Sequence, residues 1–380
     1  MRTFHQQWLF PVVAVVRLRN LTILVVGTCP VGLFALAELG PGGIIVNVSL
    51  RTEYDSNIFA NNLELDDFIA RLGTTASYEA SDGLLHFNAS IGARYSAYAE
   101  FDNSNSVDPQ VALSLSGFHR DPAPDLMFSL AAGWREQTDA NSEAGDQVSP
   151  ETVNLDGSLD YRLSDKSGLG VSAGIASLDY DEARFTDSDD YRLSLSYIYF
   201  YSQKLQFPAT VRYRIIDYGT FDFGTTTFSV GAEGVLSSKL SGFLNFGLSE
   251  SDVGNDPVLY YAVGLNWAVD INTSLALSGT RDYEPSAFGA GSITTNLSLS
   301  LSQRLTDTLT GSLFAGFGQL EYNGSGTRQD DVLNGGGSLS LRVGDHASLS
   351  LSVSMETRGS DLAFAEYDRV QVTLGGGTRF

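Results

Sequence analysis

Cysteine occurs once in the 380 residues, at Cys29, and histidine four times. A single thiol excludes a disulfide framework, and so few soft ligands leave no His/Cys set for a metal. Lysine and arginine number 23 against 45 aspartates and glutamates, a net charge of −22. A chain this acidic cannot neutralise a run of phosphates, so nucleic acid is excluded as a partner. Long apolar runs are missing too, apart from one near the start. Since each spanning helix needs about 20 mostly apolar residues, a helical membrane bundle is excluded as well.

The one apolar run extends from Leu21 to Ala37, behind Arg17 and Arg19. It closes with Ala35-Leu36-Ala37, a small-x-small pattern that signal peptidase accepts, which predicts a signal peptide over 1–37 with cleavage after Ala37. Cys29 falls inside it, so the mature chain is expected to hold no thiol. Thr28 is a poor residue to precede a lipidated Cys29, which speaks against a lipoprotein. The Gly40-Pro41-Gly42-Gly43 stretch suits a short periplasmic linker, 38–43, better than the end of an anchor helix.

What is present from Ile44 onward is alternation with period two. Leu85, Phe87, Ala89, Ile91, Ala93 and Tyr95 share one strand face, and His86, Asn88, Ser90, Gly92, Arg94 and Ser96 the other. Leu349, Leu351, Val353 and Met355 alternate with serines in the same way. Eight tight turns punctuate the series, at Ser81–Gly83, Asp121–Pro124, Ser164–Ser167, Ser202–Lys204, Ser237–Lys239, Ile271–Thr273, Thr306–Thr308 and Gly344–His346. Longer acidic stretches lie between them, such as Asp139 to Pro150. Short and long connections in strict alternation predict an all-β fold: a transmembrane antiparallel up-and-down β-barrel of about 18 strands, 16 to 20, over 44–380.

A soluble sandwich also alternates, but its strands are usually five or six residues long and one face must meet a second sheet. Here the runs reach about 10 to 14 residues, enough to cross a bilayer at a tilt. Aromatics fall close to strand ends, at Tyr78, Tyr95, Phe101, Trp134, Tyr161, Tyr191, Tyr199, Tyr261 and Trp267, as interfacial girdles require. The last strand ends on Phe380, which resembles the closing aromatic by which barrel-assembly machinery recognises its clients. The bacterial outer membrane is the expected location, with its lipid and lipopolysaccharide as surroundings.

Tyr54, Asp55, Ser56, Asn57, Ile58 and Phe59, with Glu53 before them, precede a polar, acidic loop. This segment resembles the opening of the outer-membrane β-barrel porin family of the porin-2-like kind, often found with exopolysaccharide or capsule gene clusters. The resemblance implies a barrel and a link to polysaccharide-export components. In physical terms Asp55, Ser56 and Asn57 are suited to hydrogen-bond local backbone where strand gives way to loop, a structural role that outweighs a ligand site.

Catalysis has little to work with. Enzymatic barrels place a His near the outer rim, whereas His86, His119 and His346 all fall beside short turns. No cofactor is expected. Alternation instead directs Arg51, Arg71, Arg94, Arg135, Arg162, Arg192, Arg212, Arg214, Arg304, Arg342 and Arg369 to the lumen. Glu53, Glu79, Glu100, Asp156, Asp160, Glu233 and Glu356 join them there. Guanidinium groups in a lumen attract anions or pair with acids across strands, and both roles stay open here. Acids of the long connections, including Glu64, Asp67, Asp139, Glu143, Asp146 and Asp190, are expected to face outward. The expected function is a pore for small, anionic solutes or an outer-membrane component of exopolysaccharide export. A blocked docking barrel is the alternative.

Overall fold

A computed structural model describes residues 42–119 (His119 by its backbone), 126–252, 257–288, 291–322 and 328–380, with backbone alone for 12–18, 21–27 and 38–39. The expected cleavage point at Ala37 and the thiol of Cys29 lie outside the described residues. Eighteen long antiparallel strands close into one barrel. The first nine are β1 (Gly42–Asp55), β2 (Asp67–Ser81), β3 (Leu85–Tyr98), β4 (Ser106–His119), β5 (Leu126–Glu136), β6 (Glu151–Ser164), β7 (Ser167–Asp179), β8 (Ser188–Phe200) and β9 (Leu205–Asp217). The second nine are β10 (Asp222–Val235), β11 (Leu240–Ser251), β12 (Val258–Ala268), β13 (Thr273–Pro285), β14 (Gly291–Arg304), β15 (Leu309–Tyr322), β16 (Gln329–Val343), β17 (Ala347–Ser360) and β18 (Tyr367–Arg379). Each pairs with its chain neighbours, and β18 pairs with β1 from Gln371↔Asp55 to Arg379↔Asn47.

Seven of the eight tight turns fall where the sequence puts them; the Asp121–Pro124 turn lies outside the described residues. Their chemistry is shared. Asp82 accepts from the backbone N–H of Leu84 and Leu85 at 3.0 and 2.7 Å, and these donors hold its carboxyl below the usual carboxylate range. Ser202, Ser237 and Thr306 use their hydroxyls on the same two positions downstream. The short-turn end is therefore the periplasmic end.

Apolar residues that a soluble core would bury are instead presented outward. Leu155, Ile175, Leu193 and Leu195 stand 45 to 55% exposed on the outer wall at mid-height. Tyr161, Tyr199 and Trp267 flank this belt toward the short turns, and Tyr95, Tyr191 and Tyr213 toward the long ones, all exposed. Phe101 departs from the expected girdle. It lies beyond β3, packed edge-on against Phe59 with centroids 5.5 Å apart.

Opposite faces of one strand give the test. Leu193→Arg puts a cation at mid-belt and is expected to destabilise the folded barrel by about 2–4 kcal/mol, measured by urea titration in vesicles. Ser194→Arg, next in sequence but facing the lumen, is expected to leave the midpoint within experimental error. Equal losses would mean that the belt does not face lipid.

Candidate functional site

Arginine collects on one side of the lumen. Arg51 on β1, Arg71 on β2, Arg94 on β3, Arg135 on β5 and Arg369 on β18 line a chamber of about 520 Å3 in the outer half, with Ser49, Gln110 and Gln371 between them. Three are paired: Arg71 with Glu53 at 2.5 Å, Arg94 with Asp108 at 2.8 Å and Arg369 with Asp55 at 2.5 Å. Arg51 and Arg135 have no carboxylate partner among the described residues.

The remaining lumen arginines serve other ends. Arg192 reaches Asp156 at 3.2 Å, and Arg212 on β9 reaches Asp282 on β13 at 2.6 Å. Arg214 is not an open wall residue as expected. It is 5% exposed and held by Asp190 at 2.8 Å, Glu284 at 3.0 Å and the carbonyl of Tyr283. Because β9 and β13 are four strands apart, Arg212 and Arg214 act as struts spanning part of the lumen. Arg162 lies at the periplasmic end, 4.8 Å above the Phe200 ring, and donates to the carbonyls of Ser164 and Asp165. Arg304 and Arg342 line a polar pocket at the periplasmic mouth, where Arg342 donates to the Asp307 carbonyl at 3.0 Å. Glu100 leaves the expected set, since it falls in the connection after β3.

The seven-residue motif is used on the closing seam. Asp55, fully buried, accepts from Nε and Nη2 of Arg369 and from the backbone N–H of Asn57. Ser56 exchanges two hydrogen bonds with the Val370 backbone, at 3.0 and 2.8 Å. Asn57 donates to the carbonyls of Asn61 and Asp368 at 2.7 and 3.3 Å. Ile58 packs on Ile69 and Tyr98 inside, while the Tyr54 ring lies 5.1 Å from Phe68. At the other end Phe380 exchanges two backbone bonds with Val46.

Alternation carries no information on whether the long connections fold inward. Two segments do. The 137–150 connection forms a small hairpin, Asp139–Asn141 against Asp146–Val148, whose moorings lie all around the mouth. Gln147 donates to the Tyr98 hydroxyl at 2.6 Å, Asn61 to the Gly145 carbonyl at 2.8 Å, and Arg358 of β17 to Ser142. The second segment is the tip of the β13–β14 hairpin. Tyr283 belongs by alternation to the outward face, yet it is 2% exposed and packs with Ile293 on Ile216, Tyr218 and Phe223. The tip has therefore folded into the barrel with its outward face against the inner wall. The two segments meet where Glu143 accepts from the Ser286 hydroxyl and the Ala287 N–H, each at 3.1 Å.

Several acids expected to face outward are turned in. Asp67 is buried and accepts from the N–H groups of Ala99, Glu100 and Phe101. Asp190 holds Arg214, and Asp139 comes within 3.6 Å of Arg94. Arg358, outside the expected lumen set, shares the inward parity of Glu356 and is 2% exposed against Asp330. No group of three or more His, Cys, Asp or Glu placed to hold a metal occurs among the described residues.

Residues 251–380, from the end of β11 through β18, match the family described as "Putative beta-barrel porin 2". The chain is an outer-membrane β-barrel. A structure of OpdK from Pseudomonas aeruginosa with vanillate superposes with a TM-score of 0.50 at 9% identity, covering 89% of this chain and 99% of that one. A second OpdK structure gives 0.50 at 10% identity, with the same coverage. OpdQ of the same organism gives 0.49 at 10% identity, covering 90% and 99%. At such identities the likeness concerns the fold alone. No curated protein matches the sequence.

The seam and the mouth each give a test. Asp55→Asn leaves Arg369 half-paired in a buried setting and is expected to cost about 3–5 kcal/mol, lowering the temperature at which the folded band is lost on gels. An unchanged transition temperature would remove the seam from any role in stability. At the mouth, burial first and the carboxylate of Glu143 next push the Tyr180 hydroxyl from 10.0 up to about 12. A raised folded value means that its contribution is whole below pH 10 and lost as pH rises toward 12. Protease cleavage within 137–150 is therefore expected to accelerate over that interval, and Tyr180→Phe to remove that part of the acceleration.

Proposed function

We propose that the barrel is a narrow diffusion pore that passes small anionic solutes through the arginine chamber beneath the 137–150 connection. The observation that carries this reading is the pair Arg51 and Arg135, two guanidinium groups facing the chamber with no carboxylate partner among the described residues. Guanidinium presents a rigid fork of donors that matches carboxylate or phosphate oxygens. Three neighbouring arginines are already held in ion pairs, one of them with Asp139 as a second carboxylate at 3.6 Å, so the groups open to a solute are these two residues.

An extended glycan needs a clear axial path, and 137–150 crosses the mouth with moorings to β3, β17 and the β13–β14 tip. Export of exopolysaccharide therefore requires that connection to leave, which disfavours it here. The packed mouth favours a second reading, a closed barrel that acts through partners. Phe380 is read as the signal for barrel-assembly machinery. Phe380→Ala keeps its backbone bonds to Val46, so normal membrane insertion of that variant would sink the signal reading while leaving closure intact.

Single-channel conductance of the refolded protein, with the reversal potential taken in a salt gradient, decides between pore and closed barrel. Anion-selective openings are expected, and the double variant Arg51→Gln, Arg135→Gln is expected to move the reversal potential toward cation preference. A silent barrel would favour the closed scaffold, and a reversal potential indifferent to the two substitutions would end their role as selectors.

A further inference from the structure

We propose that the rim of the short-turn end, along β6 to β13, binds acidic phospholipid of the periplasmic leaflet through Lys166, Lys204 and Lys239. This goes beyond the pore reading and does not depend on it. The whole chain holds three lysines, and all three fall in successive short turns, β6–β7, β8–β9 and β10–β11. They occupy one structural place. The carbonyl of each accepts the N–H of the last residue of the strand two further on: Lys166 from Phe200 at 3.0 Å, Lys204 from Val235 at 2.7 Å and Lys239 from Ala268 at 2.8 Å. In the other described short turns the same place is held by Leu84, Asn272, Thr308 and His346. Lysine is thus confined to one arc, its members two strands or about 10 Å apart along the rim.

The ammonium groups stay at the level of the rim. Lys166 Nζ donates to the Tyr201 carbonyl at 3.2 Å and Lys239 Nζ to the Val269 carbonyl at 2.6 Å, each crossing to the next short turn. One carbonyl uses one of three ammonium hydrogens, and the Lys204 ammonium has no partner among the described residues. Asp165 and Asp270 share the arc, yet among the described residues no carboxylate comes within ion-pair distance of a lysine. Asp270 is turned onto the Asn272 N–H at 2.7 Å. The positive charge of all three lysines is therefore open to a phosphate.

What lies beside these cations points to lipid. Tyr199, Tyr201 and Phe207 face outward next to Lys166, with Tyr201 61% exposed and its ring 6.1 Å from that of Phe207. Trp267, exposed on the outer wall, is the register partner of Leu240, which follows Lys239. In the turn that Lys239 reaches, Ile271 stands 90% exposed. Apolar surface facing water costs about 25 cal/mol per Å2, a cost removed where the turns dip into a headgroup layer. Interfacial aromatics with ammonium groups at their edge match an acidic phospholipid, its phosphate on the lysines and its upper chains against the rings. An anionic polymer in open water would use the lysines and leave the apolar side chains uncovered.

Trp8→Phe with Trp134→Phe leaves Trp267 as the single reporter, whose fluorescence in phosphatidylcholine vesicles is quenched by added brominated lipid. Brominated phosphatidylglycerol is expected to occupy the neighbouring position about fivefold more often than brominated phosphatidylcholine, the scale of one lysine at an anionic surface. The triple variant Lys166→Gln, Lys204→Gln, Lys239→Gln is expected to bring that ratio to one. Should it fold poorly, 1 M salt around the unaltered lysines is expected to lower the ratio in the same direction. A ratio of one at the outset, or one that survives the triple substitution, overturns the site. An equal preference reported by Trp134, near the long connections, in the Trp8→Phe, Trp267→Phe chain also overturns it. Lysine-dependent sedimentation with cell-wall sacculi, without any lipid preference, reassigns the rim to an anionic polymer. The quenching requires no conduction, so failure of the pore reading and failure of the lipid site are told apart.

Discussion

Everything in this molecule follows from one constraint: hydrocarbon offers no hydrogen-bond partner to a peptide group, so a sheet that crosses it must close on itself. The point of greatest demand is the seam where β18 meets β1, the only pairing among the described long strands between partners distant in sequence. It has nine register pairs where β1 and β2 have 14. Side chains make up the shortfall at the outer end. Ser56 continues the ladder to Val370, Asn57 reaches across to Asp368, and Asp55 fixes Arg369 from a fully buried position. Local sequence at one strand end thus secures a contact more than 300 residues away.

Closure then dictates the interior. With the apolar face committed to lipid, most inward positions are polar or small, and charges brought into that space must be matched or hydrated. Most are matched. Neighbouring strands supply Arg71–Glu53 and Arg94–Asp108, whereas Arg212–Asp282 and Arg214–Glu284 span four strands. The longer pairs hold the β13–β14 tip inside the barrel, where Tyr283 and Ile293 build a small core on the inner wall. The narrowing of the mouth and the pairing of the lumen charges are one arrangement.

Strand number, turn positions and the lipid belt were legible because each rests on period two and on turn chemistry that acts over two or three residues. Asp82, Ser202, Ser237 and Thr306 mark their turns by bonds to the next few N–H groups. Where the reading failed, the deciding contact is non-local. Phe101 has the position of a girdle residue until Phe59 meets it from another connection. Tyr283 has outward parity, and no local feature reveals that its hairpin folds in. Arg214 differs from Arg212, which also reaches β13, through Asp190 on β8 and the Tyr283 carbonyl. Parity assigns a face correctly and stays silent on what will cover it.

The same distinction governs the charge. A net charge of −22 suggests repulsion of anions, yet net charge acts at long range and is screened beyond about 8–10 Å at physiological salt. Selectivity is decided inside that distance. There Glu53, Asp108 and Asp55 are already bound to arginines, Asp139 lies 3.6 Å from Arg94, and Arg51 and Arg135 have no carboxylate partner among the described residues. Many of the remaining acids lie in connections at the outer rim or on its outer face, as Glu151 and Asp179, paired in register, do. An acidic protein can therefore carry a basic passage, provided its carboxylates are spent on pairing or placed more than a screening length from the path.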